Sequence, residues 1–193
     1  MKDCQIRKAL KHGLQARYSG DGKTVIIEEL GLRHGAARVD VAVVNGLLHG
    51  FEIKSDKDTL RRLPDQAKTY GSVLDRVTLV VGHRHFGEAT QIVPTWWGIQ
   101  VASMGPDGGI CISNVRVPLD NPCPSPVAVA KLLWRDEALA LLEELGKADG
   151  VRSKPRAAIY ARLAEVCVLD QIRAKVRQQL RTRTGWRSDE LQE

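Results

Sequence analysis

The sequence predicts an α/β fold, in which a sheet carries helices and a helical lobe follows it. In residues 5–118, runs typical of strands alternate with runs of helical periodicity. A proline-rich segment, residues 121–126, then reads as a linker. The periodicity after it is helical throughout. We therefore predict a core of residues 1–118 and a basic helical lobe of residues 127–193.

The core begins with a helix and three strands. Residues 5–18 favour a helix because Ile6, Leu10 and Leu14 recur every four residues. The glycines between residues 19 and 22 end it. The three strands predicted after it span residues 24–29, 38–44 and 47–54.

The rest of the core continues this alternation. Pro64 stands near the start of a helix that runs to about Val73. The nearly all-apolar run Arg76–Gly82 is typical of a strand buried on both faces. A short helix near residues 87–92 and strands at 98–102 and 110–115 complete the core.

The predicted lobe consists of helices. Leucines from Leu132 to Leu145 mark one helix, which Gly146 ends. A long amphipathic stretch then runs from Ile159 to Leu180.

Composition narrows the class of protein. The 193 residues are 43% hydrophobic, enough for a packed core, yet no run approaches the roughly 20 apolar residues of a membrane span. The N-terminus lacks the apolar run of a signal peptide, so we expect a cytoplasmic protein with no membrane partner. The four cysteines form no metal-binding pair and are expected to pack as small apolar residues.

The net charge of +6 is unevenly distributed. Residues 1–23 hold six Lys and Arg against two Asp and Glu, and residues 151–193 hold ten against five. Residues 24–150 hold thirteen against sixteen. Basic ends around an acidic centre suit a polyanionic partner, although a solvated basic surface has the same composition.

Three residues carry the chemistry that the sequence suggests. Asp40 lies on one strand, and Glu52 and Lys54 share a face of the next because they are two residues apart. Two carboxylates can hold Mg²⁺ against a phosphate, and a lysine can orient water and stabilise negative charge. The carbonyl of Ile53 is available as a further ligand.

The hairpin between these strands imposes a geometric condition. A two-residue loop at Asn45-Gly46 would place Asp40 on the face opposite to Glu52. A three-residue loop with Gly46 in the left-handed region, or one bulge, would bring them to one face. We predict this odd loop or bulge.

These residues resemble a known group of proteins. Asp40 with Glu52-Ile53-Lys54 resembles the core motif of the PD-(D/E)xK nuclease superfamily, although Val39 replaces the motif's proline. Gln66 and Tyr70 resemble the QxxxY motif of its RecB-like branch. The longer pattern from Glu29 to Pro64 is similar to the small bacterial sce7726 family of this superfamily, and the resemblance extends through residues 133–138 into the basic tail.

The resemblance implies a restriction-endonuclease-like α-β-β-β-α-β core and a metal-dependent phosphodiesterase that hydrolyses nucleic acid, with DNA as the expected substrate. It implies Mg²⁺, replaceable by Mn²⁺, on Asp40, Glu52 and the Ile53 carbonyl, with Lys54 as the catalytic lysine. Gln66 and Tyr70 would support the site or hold the substrate. A third acid is expected from Glu28 or Glu29, and Glu29 is preferred.

An alternative from another class stays open. The chain could be a nucleic-acid-binding module on a nuclease-like fold, which does not cleave or needs a partner to do so. Lys57, Arg61 and Arg62 could line the path of the nucleic acid, or form a solvated helix face. The basic tail could likewise bind phosphate or form a solvated helix face. A homodimer or a protein partner is also possible. The tail, from Arg173 to Arg187, carries Arg173, Lys175, Arg177, Arg181 and Arg183.

Overall fold

The computed structural model describes residues 1–32, 35 and 37–183. Residues 184–193 of the predicted lobe lie outside the described residues. Within the described ranges the predicted α/β fold is confirmed, with a six-stranded sheet and a group of C-terminal helices. The core follows the expected order α-β-β-β-α-β before it adds further elements.

The elements occupy the following ranges. The strands are β1 (Val25–Leu32), β2 (Ala37–Val44), β3 (Leu48–Lys54), β4 (Arg76–Gly82), β5 (Gly98–Met104) and β6 (Ile110–Arg116). The helices are α1 (Asp3–Arg17), α2 (Leu63–Gly71), α3 (Phe86–Ile92), α4 (Pro126–Ala130), α5 (Arg135–Glu144), α6 (Arg156–Val166) and α7 (Leu169–Thr182). A 3₁₀ turn, His83–His85, separates β4 from α3.

The sheet has the order β1-β2-β3-β4-β5-β6. The pairs β3–β4 and β4–β5 are parallel, and the other three neighbouring pairs are antiparallel. Parallel neighbours need a crossover, and the chain supplies α2 for the first and α3 for the second. The apolar run of β4 therefore lies at the centre of the sheet, buried from Val77 to Gly82.

Each face of the sheet buries its own cluster of apolar side chains. Helix α1 covers one face with Ile6, Leu10 and Leu14, the residues that its periodicity predicted. The second face is covered by α2, α3 and the C-terminal helices. The α1 face of the sheet contributes Val41, Val43, Phe51, Ile53, Val80 and Ala102.

The hairpin between β2 and β3 has the three-residue loop that the sequence analysis required. Val44 pairs with Leu48, so the loop is residues 45–47. The Asn45 amide donates to the Leu47 carbonyl at 3.0 Å, and the Leu47 amide donates to Asn45 Oδ1 at 3.1 Å. The left-handed conformation expected for Gly46 is wrong. Among the described residues, positive φ occurs at Glu29 and at four glycines, and Gly46 is not one of these four. The Asn45 side chain closes the loop instead.

The C-terminal helices differ in one respect from the sequence prediction. The long amphipathic stretch is two helices, because Cys167 and Val168 adopt extended backbone between α6 and α7. Their buried side chains belong to the same cluster as the second face of the sheet. The division into residues 1–118 and 127–193 stays a prediction.

Within the described part of the chain, no helix combines the length and apolar character that crossing a membrane requires. The cytoplasmic location stays a prediction.

Candidate functional site

The strands β2 and β3 separate just beyond the hairpin's last paired residues, Val41 and Phe51. The side chain of Asp40 fills the position that a backbone acceptor would occupy, and its Oδ2 accepts a hydrogen bond from the Ile53 amide at 2.7 Å. Ile53 thus contributes its N–H group to the site, whereas the sequence analysis expected its carbonyl. The Asp40 carboxylate is consequently fixed at the point where the two strands part.

The second oxygen of Asp40 contacts α1. Arg7 Nη2 donates to Asp40 Oδ1 at 2.7 Å, and Arg7 Nη1 donates to the Asp40 carbonyl at 3.0 Å. Burial, with the nearby charge of Glu52, raises the pKa of Asp40 to about 7, although the Ile53 amide and Arg7 act in the opposite direction. Asp40 is therefore a carboxyl group that titrates near neutrality.

Glu29 meets the same arginine. It lies opposite Asp40 in the β1–β2 register, and its Oε1 accepts a hydrogen bond from Arg7 Nη1 at 2.5 Å. Its φ of 53° lies in the left-handed region, where a non-glycine residue is strained. Successive residues of a regular strand point to opposite faces, yet here Glu28 pairs with Lys11 of α1 while Glu29 pairs with Arg7. Of the two candidate third acids, Glu29 is the one that joins Asp40.

Arg7 lies among three carboxylates, since it also pairs with Asp3 at 3.3 Å. Burial lowers its pKa, but the charges of Asp40, Asp3 and Glu29 outweigh this and raise the pKa above its ordinary value. Arg7 was not among the site residues predicted from the sequence. The available signal was weak: Arg7 lies one helical turn after Asp3 and beside the inward-facing Ile6, which places it at the border of the buried face of α1.

Glu52 lies on the opposite side of the sheet from α1 and is almost fully buried. Its Oε1 accepts hydrogen bonds from Lys54 Nζ at 2.5 Å and Gln66 Nε2 at 2.6 Å. The Tyr70 hydroxyl lies 2.6 Å from Glu52 Oε2 and 2.5 Å from the carbonyl of Arg38, and its single proton serves one acceptor at a time. Burial, followed by the charge of Glu52, raises the pKa of Tyr70 above its ordinary range. The hydroxyl therefore stays protonated and acts as a donor.

The structure thus brings together all the site residues that the sequence analysis named, but in two sets. Asp40 and Glu29 form ion pairs with Arg7 of α1, whereas the partners of Glu52 are side chains of β3 and α2. The set on the α2 side comprises Glu52, Lys54, Gln66 and Tyr70.

A divalent cation does not fit this arrangement as it stands. Both oxygens of Asp40 and both oxygens of Glu52 already accept hydrogen bonds from protein donors. Across residues 1–32, 35 and 37–183, no group of three or more His, Cys, Asp and Glu side chains could hold a metal ion. The described contacts give no support to the expected Mg²⁺ or Mn²⁺ at these residues.

The basic residues of the tail are engaged inside the fold. Arg173 and Arg177 lie 2.8 and 3.6 Å from the carboxylate of Asp75, a buried residue between α2 and β4. Lys175 pairs with Glu144 at 2.6 Å. Arg183 pairs with Glu137 and stacks over the ring of Trp134. Most of the tail's described cations therefore bind other parts of the chain.

Comparison with known proteins places the chain in a different family from the one its motif suggested. The model of the family described as Bacteriophage P4 protein cII matches residues 3–193. A relative named Protein cII, from Enterobacteria phage P4, is 38% identical over 74 residues. This alignment covers 38% of the present chain and 28% of the relative, so the chain spans less than a third of that protein's length.

The family match overturns the nuclease interpretation. The resemblance to the PD-(D/E)xK superfamily and the sce7726 family was wrong, and so were the predictions of a nuclease, a hydrolase and a metal-binding protein that followed from it. The motif misled because it is short. An acid on one strand and Glu-x-Lys on the next also arise where the protein's own Arg7 and Lys54 occupy the carboxylates. The chain belongs to the Bacteriophage P4 protein cII family.

Proposed function

We propose that the chain binds nucleic acid, with DNA as the first ligand to test, by contacts to the phosphate backbone and without cleaving it. The observation that carries this proposal is a group of exposed cations on the segment that joins β3 to α2 and on α2 itself. We call it the α2 cationic face and define it by Lys57, Arg61, Arg62 and Lys68.

The four cations of this face are free to meet a ligand. Each side chain is exposed, and none forms an ion pair with a described residue. Arg62 directly precedes α2 and Lys68 lies six residues later, a rise of about 9 Å along a helix. Long side chains at this separation can reach different phosphates of one bound duplex.

The acids of the same segment are largely engaged. Asp58 Oδ2 accepts hydrogen bonds from the amide and the hydroxyl of Ser55, at 2.8 and 2.6 Å. Asp56 lies 3.4 Å from the terminal ammonium of Met1 and accepts from the Arg84 amide at 3.2 Å. Asp65 is exposed on α2 and reduces the positive potential there. Four cations of this segment therefore face solvent. Of its carboxylates, Asp65 is the one without a hydrogen bond or ion pair to a described residue.

The buried network beneath α2 supports this face. Glu52 carries its own counter-cation, Lys54, and holds α2 through Gln66 and Tyr70. The other acids, Asp40 and Glu29, accept hydrogen bonds from Arg7 of α1. We propose that these residues fix α2 relative to the sheet, so that the cations are presented on a rigid element.

The experiment measures binding of fluorescent duplex and single-stranded oligonucleotides by anisotropy, between about 50 and 200 mM salt. Affinity is expected to fall steeply with salt, because binding releases counterions. Arg61→Gln/Arg62→Gln is expected to lose about tenfold in affinity, roughly 1.4 kcal/mol. The matched control is Lys8→Gln/Lys23→Gln, which removes the same charge from exposed positions on and after α1.

Two results would contradict the proposal. One is the absence of salt-dependent binding by the unaltered protein. The other is an equal loss in both double variants, which would mean that net charge alone attracts the oligonucleotide. Adding Mg²⁺ or Mn²⁺ to the same mixtures is expected to leave the oligonucleotides intact on a denaturing gel.

A further inference from the structure

A groove lies between α2 and α4, where the core meets the C-terminal helices. Its volume is about 310 Å³, and its lining is formed by Lys68, Thr69, Ser72, Ser125, Ala128 and Lys131. Two of these side chains are ammonium groups and three carry hydroxyls, while no carboxylate contributes to the lining. The lining therefore favours an anion.

The walls of the groove are held by hydrogen bonds that do not involve its lysines. The Ser125 amide donates to the Ser72 carbonyl at 2.9 Å. The buried Asn121 side chain donates to the carbonyls of Gly71 and Leu74, at 2.7 and 2.8 Å. The end of α2 and the start of α4 are thus fixed to each other, and the groove exists before any ligand enters.

The polar groups of the groove match the acceptors of a phosphate. Neither Lys68 nor Lys131 forms an ion pair with a described residue, so both ammonium groups are available. Ser125 Oγ accepts a hydrogen bond from the Ala128 amide, which leaves its own proton to donate. Ser72 Oγ donates to the Thr69 carbonyl and is therefore engaged. Lysine binds phosphate as a point charge, and a hydroxyl adds direction.

We infer that this groove binds a phosphodiester group of the nucleic-acid backbone, as a continuation of the α2 cationic face through their shared residue Lys68. The inference rests on the proposed function, since it names the place where one phosphate of the bound strand lies. An acidic peptide is the competing ligand of similar charge.

The test compares Lys68→Gln/Lys131→Gln with Lys8→Gln/Lys23→Gln in the same anisotropy titrations. Loss of one or two phosphate contacts is expected to reduce the slope of log K against log salt by about 0.9 for each contact on duplex DNA. Affinity is expected to fall about tenfold. Lys68→Arg/Lys131→Arg is expected to retain most of the affinity, because the charges remain. A purely structural role for these two lysines would not produce a change in the salt slope.

A second measurement locates the ligand. Inorganic phosphate and a short oligonucleotide, added separately to ¹⁵N-labelled protein, are each expected to shift the amide resonances of Ser72, Ser125 and Ala128. A poly-glutamate peptide is expected to shift them less. Equal or larger shifts with the peptide would overturn the assignment to phosphate.

The outcomes separate the two proposals. Oligonucleotide binding that is equally strong in the groove variant and in the control overturns the groove assignment and leaves the proposed function standing. Absence of oligonucleotide binding by the unaltered protein overturns both. If inorganic phosphate then still shifts the groove amides, the ligand is free phosphate and the nucleic-acid assignment of the groove is wrong.

Discussion

Arg7 is the cation that binds Asp40 at the scale of single residues. Its guanidinium contacts Asp3, Glu29 and Asp40, and the ion pair with Asp40 is mostly removed from solvent. Asp40 nevertheless keeps a raised pKa, because its burial and the charge of Glu52 act more strongly than the favourable contacts. The balance of these opposing causes can be measured by changing one neighbour at a time.

We predict that Asp40 titrates near pH 7 in the folded protein. Glu52→Gln should lower this pKa, since it removes a like charge, and Arg7→Gln should raise it further. Because the folded pKa lies above the unfolded value, the stability that Asp40 contributes is fully present below about pH 4 and is lost as pH rises through about 7. Carboxyl ¹³C titration measures the pKa, and urea unfolding at several pH values measures the free energy of unfolding. Asp40→Asn is the control that should remove this pH dependence, and an ordinary pKa in the unaltered protein would contradict the prediction.

The β2–β3 hairpin illustrates what the sequence could predict at the scale of elements. The loop length followed from the requirement that an acid and Glu-x-Lys lie together, and the three-residue loop is present. The role of Asn45 in closing it did not follow, because several turn geometries satisfy the same register. Arg7 was missed for a related reason: a helix residue can be assigned to a face by periodicity, but its partners depend on where the helix lies across the sheet. The break at Cys167 was missed because apolar periodicity continues through it.

A pair of glycine substitutions tests the packing of these elements. A Cβ on Gly50 of β3 would lie 2.5 Å from Leu74 Cδ1 and 3.1 Å from Val39 Cγ1, so Gly50→Ala should destabilise the fold by about 1–3 kcal/mol. A Cβ on Gly13 of α1 would have no neighbour within 4 Å, so Gly13→Ala should stabilise it by about 0.5–1 kcal/mol. Urea unfolding of both variants provides the comparison. A stabilising effect at Gly50 would show that β3 and the segment between α2 and β4 are packed less closely than described.

The whole molecule is held together by contacts between the sheet and the last described helix. Asp75 accepts a hydrogen bond from the Leu48 amide at 2.8 Å and pairs with Arg173 and Arg177 of α7. The same apolar cluster extends from the sheet into α5, α6 and α7. The tail's basic composition therefore has a structural explanation that sequence alone could not provide, because its acidic partner lies about 100 residues earlier in the chain.

Asp75→Ala should reduce the free energy of unfolding by about 2–4 kcal/mol, because it leaves a buried amide without its acceptor and removes the buried counter-charge of two arginines. Asp120→Ala removes an exposed partner of Arg76 and should cost less than about 1 kcal/mol. Equal losses in the two variants would mean that Asp75 is no more important than a surface acid. A single unfolding transition seen by both tryptophan fluorescence and far-ultraviolet circular dichroism is expected in each case.

The long sequence distance between Asp75 and α7 also affects how the chain folds during its synthesis. A ribosome that adds about 5–20 residues per second reaches Arg173 some 5–20 s after it has incorporated Asp75. During that interval the strands β3 and β4 can pair, but the carboxylate between α2 and β4 lacks its counter-cations. The sheet of a nascent chain is thus expected to mature only after α7 has left the exit tunnel, which makes the order of synthesis part of how this protein reaches its native state.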